Sequence, residues 1–310
     1  MKNIVDGSGL TVASRASGLA QAQTRLACDF LAQNNLQVNN ILFLTTEGDR
    51  RLDISLSKSG GKGLFIKEIE QALLDKKADI AVHSLKDMPI KNAPGLITAG
   101  FLEAASPHDC LVSPYDSIEN LPEGSVIGTS SLRRAAQLKI LRTDVKFALL
   151  RGNVLTRLAR LDNKEYDGIV VAAAGLDRLN INRNHFSFSV ETMTPAFNQG
   201  IIALQCRADD ADLIKVLNKK NATKVSFRVD WERAIAQQFN ASCDSAFGIY
   251  ADVLSIDPLS VDLTVFACCS EDRWLRKAAN FSHLTEALQW VSKEFDLPAI
   301  DWSKCQLKLF

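Results

Sequence analysis

The chain is expected to fold as an α/β protein: two lobes joined by a crossover out and back, then a small C-terminal α+β domain. Three observations carry that expectation. At 310 residues the chain exceeds the length at which one hydrophobic core stops growing, so two or three domains are expected. Short apolar runs alternate with amphipathic helical stretches, the pattern of β-α-β units and hence of a largely parallel sheet. One kind of junction also recurs. Apolar runs break into polar residues within residues 78–89 (ADIAVHSLKDMP), 128–134 (GTSSLRR) and 150–157 (LRGNVLTR).

In chain order, Leu10-Thr11-Val12-Ala13 predicts a strand and 18–34 a helix capped by Ser17, with Leu19, Ala22, Leu26 and Leu31 as buried positions. Ile41-Leu42-Phe43-Leu44 predicts a second buried strand. Residues 47–63, with Lys58, Lys62 and glycines at 60, 61 and 63, form a loop long enough to act as a lid. An amphipathic helix over 64–74 leads into the strand that ends at His83-Ser84-Leu85-Lys86-Asp87. Between 101 and 122 the pattern loosens, marking the crossing to the second lobe. Val126-Ile127 and 147–150 are strands there, followed by helices through Ile140 and Leu161, and 168–174 is a very apolar strand closing on Gly175-Leu176-Asp177-Arg178. Residues 194–200 make the return crossing, and 201–206 a strand of the first lobe. A helix over 225–238, a turn at 239–245, strands at 247–253 and 261–268 and a helix over 284–295 complete the third domain. The boundaries are thus 1–101 with 196–220, 102–195, and 221–310.

Lys plus Arg and Asp plus Glu both number 36, which removes a generally basic nucleic-acid binder and an acidic tail; any positive site must be local. The first residues lack the apolar core of a signal peptide, and no run approaches the roughly 18 apolar residues of a membrane span. A cytoplasmic protein without a membrane partner is expected. Seven cysteines (Cys28, Cys110, Cys206, Cys243, Cys268, Cys269 and Cys305) show no CxxC spacing, and four histidines show no paired ligand spacing. Neither a disulfide framework nor a metal is expected.

The chemistry sits at the strand ends. In open α/β sheets the carboxyl ends of strands open onto the ligand crevice. A single polar tip is as often a solvated turn, and one arginine is more often surface than site. Repetition changes that, because Ser84, Lys86, Asp87, Ser130, Ser131, Arg133, Arg134, Arg151 and Arg157, with Arg15 and Arg178, all fall at equivalent junctions. Arginine forks grip carboxylates or phosphates, and helix N-termini add N–H donors, so a polyanion is the expected ligand.

Residues 83–89 (HSLKDMP), 128–134 (GTSSLRR), 150–154 (LRGNV) and 60–65 (GGKGLF) resemble, in order and over nearly the whole chain, the motifs of the hydroxymethylbilane synthase, or porphobilinogen deaminase, family. The match is weakest after about 253. The resemblance implies two periplasmic-binding-protein-like lobes and a third domain whose cysteine carries a dipyrromethane cofactor through a thioether. It implies an enzyme that joins four porphobilinogens head to tail, releases ammonia at each step, and hydrolyses the chain free as hydroxymethylbilane in heme biosynthesis. By this resemblance Asp87 is catalytic and Cys243 bears the cofactor. Lys86, Ser84, Arg133, Arg134, Ser131, Thr129 and Asp87 bind the cofactor, and Arg15, Arg151, Arg157, Arg178, Gln199 and Lys62 bind substrate. The partners are porphobilinogen and its linear oligomers, with no nucleic acid, and the protein is expected to be a monomer.

The chain departs from the family pattern near Cys243, where Ala241-Ser242 and Ala246 replace two glycines and a proline, and at Asn198 and Gly18, which replace a glycine and a proline. The alternative function is a non-catalytic anion- or solute-binding protein of the same fold, since fold does not fix function. A phosphate- or nucleic-acid-binding protein would use the same arginines but has no use for a cysteine facing them.

Overall fold

The computed structural model describes residues 9–50, 66–219, 223–242, 245–270, 273–297 and 299–302. Lys62 and Cys243, and most of the expected lid, lie outside these. The chain forms two compact units, residues 1–105 with 200–226 and residues 106–199 with 227–310.

The first unit begins β1 (Leu10–Arg15), α1 (Gly18–Gln33), β2 (Val38–Leu44), α2 (Glu47–Arg50), α3 (Lys67–Leu74), β3 (Ile80–Ser84) and β4 (Leu96–Phe101). The second holds β5 (Asp109–Val112), β6 (Val126–Gly128), α4 (Leu132–Leu141), β7 (Lys146–Ala148), α5 (Val154–Asp162), β8 (Gly168–Ala172), α6 (Ala173–Arg178) and β9 (Phe186–Ser187). The chain returns through β10 (Ile202–Arg207) and α7 (Ala211–Lys219). It ends with α8 (Thr223–Gln238), β11 (Phe247–Ile256), β12 (Leu259–Ser270), β13 (Arg273–Phe281) and α9 (Leu284–Glu294).

The two large sheets share one topology. Their orders are β2-β1-β3-β10-β4 and β7-β6-β8-β5-β9. In each, the strand that has just arrived from the other unit enters at the fourth place and runs antiparallel to both neighbours, while the first three are mutually parallel. This is the expected pair of α/β lobes with a crossover out and back. A three-stranded antiparallel sheet, β11-β12-β13, belongs to the second unit.

The cores follow the expected periodicities. In the first unit Val12, Ala27, Leu31, Ile80, Val82 and Leu204 pack together. In the second, α4 is gripped on two sides: Leu138 joins Ile127 and Val170, while Ala135 and Ala136 join Phe266 and Cys268 of the small sheet.

Several local expectations change. The 41–44 strand is part of an edge strand, so Ile41 and Phe43 are exposed rather than buried, and Leu26 lies on the solvent face of α1, whose buried positions are Ala20, Ala22, Gln23, Thr24, Ala27 and Leu31. The apolar run at 168–174 is a strand only to Ala172; Ala173-Ala174-Gly175-Leu176 form a buried helix. Buried strand and buried helix look alike in so short a run. β4, β5, α7 and β13 lie where no element was expected.

Candidate active site

In the first unit the site is built at the end of β3. Leu85 and Met88 are buried, and the Leu85 N–H bonds to the Ile201 carbonyl (3.0 Å), so the 3-10 turn Leu85–Asp87 is pinned by its flanking apolar residues. The turn leaves Lys86 half-buried and Asp87 exposed. Beside it lies a cavity of about 60 Å³ lined by Arg15, Ser17, Gln23, His83, Ser84 and Asp87 among others. The Ser84 hydroxyl accepts from Gln23 Nε2 (2.8 Å) and donates to Gln23 Oε1 (3.1 Å). Ser17 caps α1 by accepting from the Ala20 N–H. Sequence reasoning did not single out Gln23, because a buried polar position inside a helix carries no motif, and it placed His83 in the strand-end motif without giving it a role.

His83 is buried and its Nε2 lies 3.0 Å from Gln205 Oε1, while Gln205 Nε2 donates to Glu70 Oε1 (2.9 Å). Since the amide spends its N–H on Glu70, its oxygen must accept, and His83 donates. Burial, with Arg15 nearby, pulls the imidazole down to about 4 against the favourable Gln205 bond, so it is neutral near pH 7.

In the second unit the expected anion ligands meet on an acid. Asp109, at the start of β5, is fully buried. Its Oδ1 accepts from Arg134 Nη2 (2.7 Å) and Nε (3.1 Å) and from Gln199 Nε2 (3.0 Å). Its Oδ2 is 2.7 Å from Arg133 Nη1, an ion-pair contact off the hydrogen-bond direction. Burial would raise this carboxyl, but Arg133 and Arg134 together outweigh it and hold it well below the usual carboxylate range. Arg133 Nη1 also donates to the Thr194 carbonyl (2.8 Å) and Arg134 Nη1 to that of Val170 (2.9 Å). Two guanidiniums thus share one carboxylate.

The neighbouring tips are tied to each other. Ser131 caps α4 by accepting from the Arg134 N–H, buried Thr129 accepts from the Ser131 N–H (3.2 Å), and Ser130 donates to the Leu150 carbonyl (2.7 Å). Asn153 caps α5, and Arg157 Nε donates to the Gly152 carbonyl (2.8 Å). Arg151, Arg157 and Arg178 are half-buried. Burial lowers Arg178 to about 10 against the pull of Asp177, which leaves it charged near pH 7.

Among the described residues near Cys243, the Ser245 N–H bonds to the Ser242 carbonyl (3.1 Å), the Ser242 N–H to Ser245 Oγ (3.0 Å), and Ala241 and Ala246 are buried. Asn198 has φ +58°, which explains a usual glycine there, since asparagine tolerates the left-handed region best after glycine. Its Nδ2 donates to Glu232 Oε2 (3.1 Å) and its Oδ1 accepts from Arg233 Nε (3.0 Å), bonds a glycine cannot make.

A family model described as "Porphobilinogen deaminase, dipyromethane cofactor binding domain" matches residues 10–215. The chain belongs to the porphobilinogen deaminase family. Its relatives include the porphobilinogen deaminases of Francisella tularensis subsp. novicida (strain U112), 42% identical over 271 residues, and of subsp. tularensis (strain FSC 198), 42% identical over 275 residues; each alignment covers 86% of this chain and 89% of the relative. Family membership supports the enzymatic expectation and not the solute-binding alternative. Among solved structures, the second substrate binding domain of an amino acid ABC transporter from Streptococcus pneumoniae superposes with a TM-score of 0.45 at 12% identity, covering 73% of this chain and 97% of that one. A TRAP periplasmic solute binding protein from Desulfovibrio salexigens gives 0.41 at 13% identity, covering 73% and 76%. At such scores the likeness adds nothing to the topology. The matched domain is one that binds a dipyrromethane, and the residues present suit its carboxylates: the buried Arg133–Asp109–Arg134 cluster retains one uncancelled positive charge. Among the described residues no helix is long and apolar enough to cross a membrane, and no group of three or more His, Cys, Asp or Glu could hold a metal.

Proposed function

We propose that this chain polymerises four porphobilinogens head to tail into hydroxymethylbilane, releasing ammonia at each step, from a dipyrromethane held by Cys243. The carrying observation is the carboxylate of Asp87, presented on a turn pinned from both sides at the lip of the cavity that Arg15 lines. When bound, the dipyrromethane supplies the nucleophilic pyrrole from which the chain grows. Asp87 as the acid gives its proton to the departing aminomethyl nitrogen as the C–N bond breaks. As the carboxylate it then faces the cation left on the substrate, where transition-state charge develops. A bound dipyrromethane, or the chain grown on it, would supply the ring for the new C–C bond at that carbon and release one proton in exchange, while ammonia leaves with the proton given by Asp87.

Lys86 and Ser84 bind carboxylates beside Asp87, and Arg15, Arg151, Arg157, Arg178, Gln199 and Lys62 hold those of the substrate and growing chain. Arg133 and Arg134, with Thr129 and Ser131, hold those of the cofactor. In this reading residues 221–310 act as the cofactor-bearing domain, residues 47–63 as a lid, and the protein works as a cytoplasmic monomer without nucleic acid or membrane.

Intact mass of protein from a heme-making host tests the anchor. The wild type should carry a covalent increment of two pyrrole units, and Cys243→Ser should fold without the increment and without turnover. Near wild-type hydroxymethylbilane production by Cys243→Ser removes Cys243 from the mechanism. Asp87→Asn should retain the increment and lose about two to three orders of magnitude in single-turnover rate; a rate within about tenfold of wild type would exclude Asp87 as the acid.

A further inference from the structure

Asp109 belongs to none of the motifs that mark the site, yet residues proposed to grip the cofactor and the substrate converge on it. Both arginines of α4 and the Gln199 carboxamide bond or pair with this one buried carboxylate. Each guanidinium is also fixed from a second direction, Arg133 by the Thr194 carbonyl and Arg134 by that of Val170. The helix carrying them is packed on two sides, so they cannot move with it toward solvent.

The charge count is informative. Two adjacent buried guanidiniums repel, and burying them without a counterion costs several kcal/mol per ion. A second acid would cancel the charge entirely and leave no attraction for an anion. The third partner is instead an amide, which adds a hydrogen bond and no charge. We infer that Asp109 is the positioning residue of the α4 arginines, fixing both guanidiniums and Gln199 while leaving one positive charge to take a carboxylate of the dipyrromethane. The identity of that ligand rests on the proposed function above.

The test compares wild type, Asp109→Glu and Asp109→Asn from a heme-making host by intact mass, thermal unfolding and steady-state kinetics with porphobilinogen. Glu keeps the charge but moves it by one methylene. Asp109→Glu should fold, carry the two-pyrrole increment, and raise KM about tenfold with kcat within about threefold, because the Gln199 carboxamide that Asp109 fixes is proposed to hold substrate, and its displacement weakens binding in ground and transition states alike. Asp109→Asn should carry the increment in less than about a tenth of molecules, because two unneutralised guanidiniums no longer hold a defined geometry. If Asp109→Asn does not fold, Asp109→Glu decides. Full loading and unchanged KM in Asp109→Glu, whatever its melting temperature, would overturn the inference by showing a purely structural role. A wild type with neither increment nor turnover would instead refute the proposed function, so the two failures are distinguishable.

Discussion

His83 shows how one residue of the sequence motif serves the fold as much as the site. It sits at the end of β3, one position before Ser84, but its ring is turned into the core against Gln205 and not into solvent. The folded imidazole titrates at about 4 against an ordinary value of 6.5. As pH falls, the unfolded chain therefore takes up the proton first. Stability that is fully present above about 6.5 is lost as pH drops toward 4, and this group changes nothing further below that. The shift corresponds to about 3 kcal/mol for this fully buried ring. Urea unfolding of wild type and His83→Gln across that window should show the wild type losing about that much more than the variant, since glutamine keeps a donor toward Gln205 and does not titrate. Parallel pH profiles for the two proteins would exclude the buried imidazole as the source.

At the scale of elements, the helices that open on the site are held by their caps and by glycines that admit no side chain. Gly152 has φ +103°, and a Cβ there would lie 2.9 Å from Thr156 Cγ2 in the first turn of α5. Its carbonyl also accepts from Arg157 Nε. Gly152→Ala should cost about 1–3 kcal/mol through backbone strain and shift Arg157 with the loop. KM for porphobilinogen should rise alongside a lower melting temperature, and Thr156→Ser added to it should restore part of both by removing the colliding methyl. Wild-type stability and KM in the Gly152→Ala protein would show that the loop relaxes freely. The junctions of β1, β3, β6, β7 and their helices were legible in the sequence because a strand end, a cap residue and an arginine follow one another locally. β5 and β4 were not, because Asp109-Cys110-Leu111-Val112 is short and sits in a proline-broken stretch, and its fully buried character comes from pairing with β8 and β9 far away in sequence. For the same reason Asp109 escaped notice: its role comes from arginines on α4 and an amide near the return crossing, none close to it in the chain. β2 reads as buried but lies at an edge, since sheet order is not written in a single strand.

At the scale of the whole chain the formal charge is zero, but the site collects cations. Arg133 and Arg134 share one acid, and Arg178 stays charged although burial lowers its pKa. The excess positive charge of the Arg133–Asp109–Arg134 cluster raises the energy of the native state until an anion compensates it. On the proposed function, the dipyrromethane brings carboxylates on both rings and acts as an internal counterion as well as a primer. A group bound only to the native state stabilises it, and one held covalently is not lost on dilution. Apo-protein, made in cells unable to supply porphobilinogen or as Cys243→Ala, should therefore melt several degrees below the holo-protein, each kcal/mol being worth about 2–4 °C for domains of 150–250 residues. Phosphate or sulfate should narrow the gap by occupying the arginine sites, although sulfate also stabilises proteins generally by exclusion from their surface. Titrating apo and holo forms side by side separates the two effects, because general stabilisation raises both melting temperatures equally whereas site occupancy raises only the apo form. Equal melting temperatures at low ionic strength would show that the cofactor's carboxylates do not neutralise these arginines.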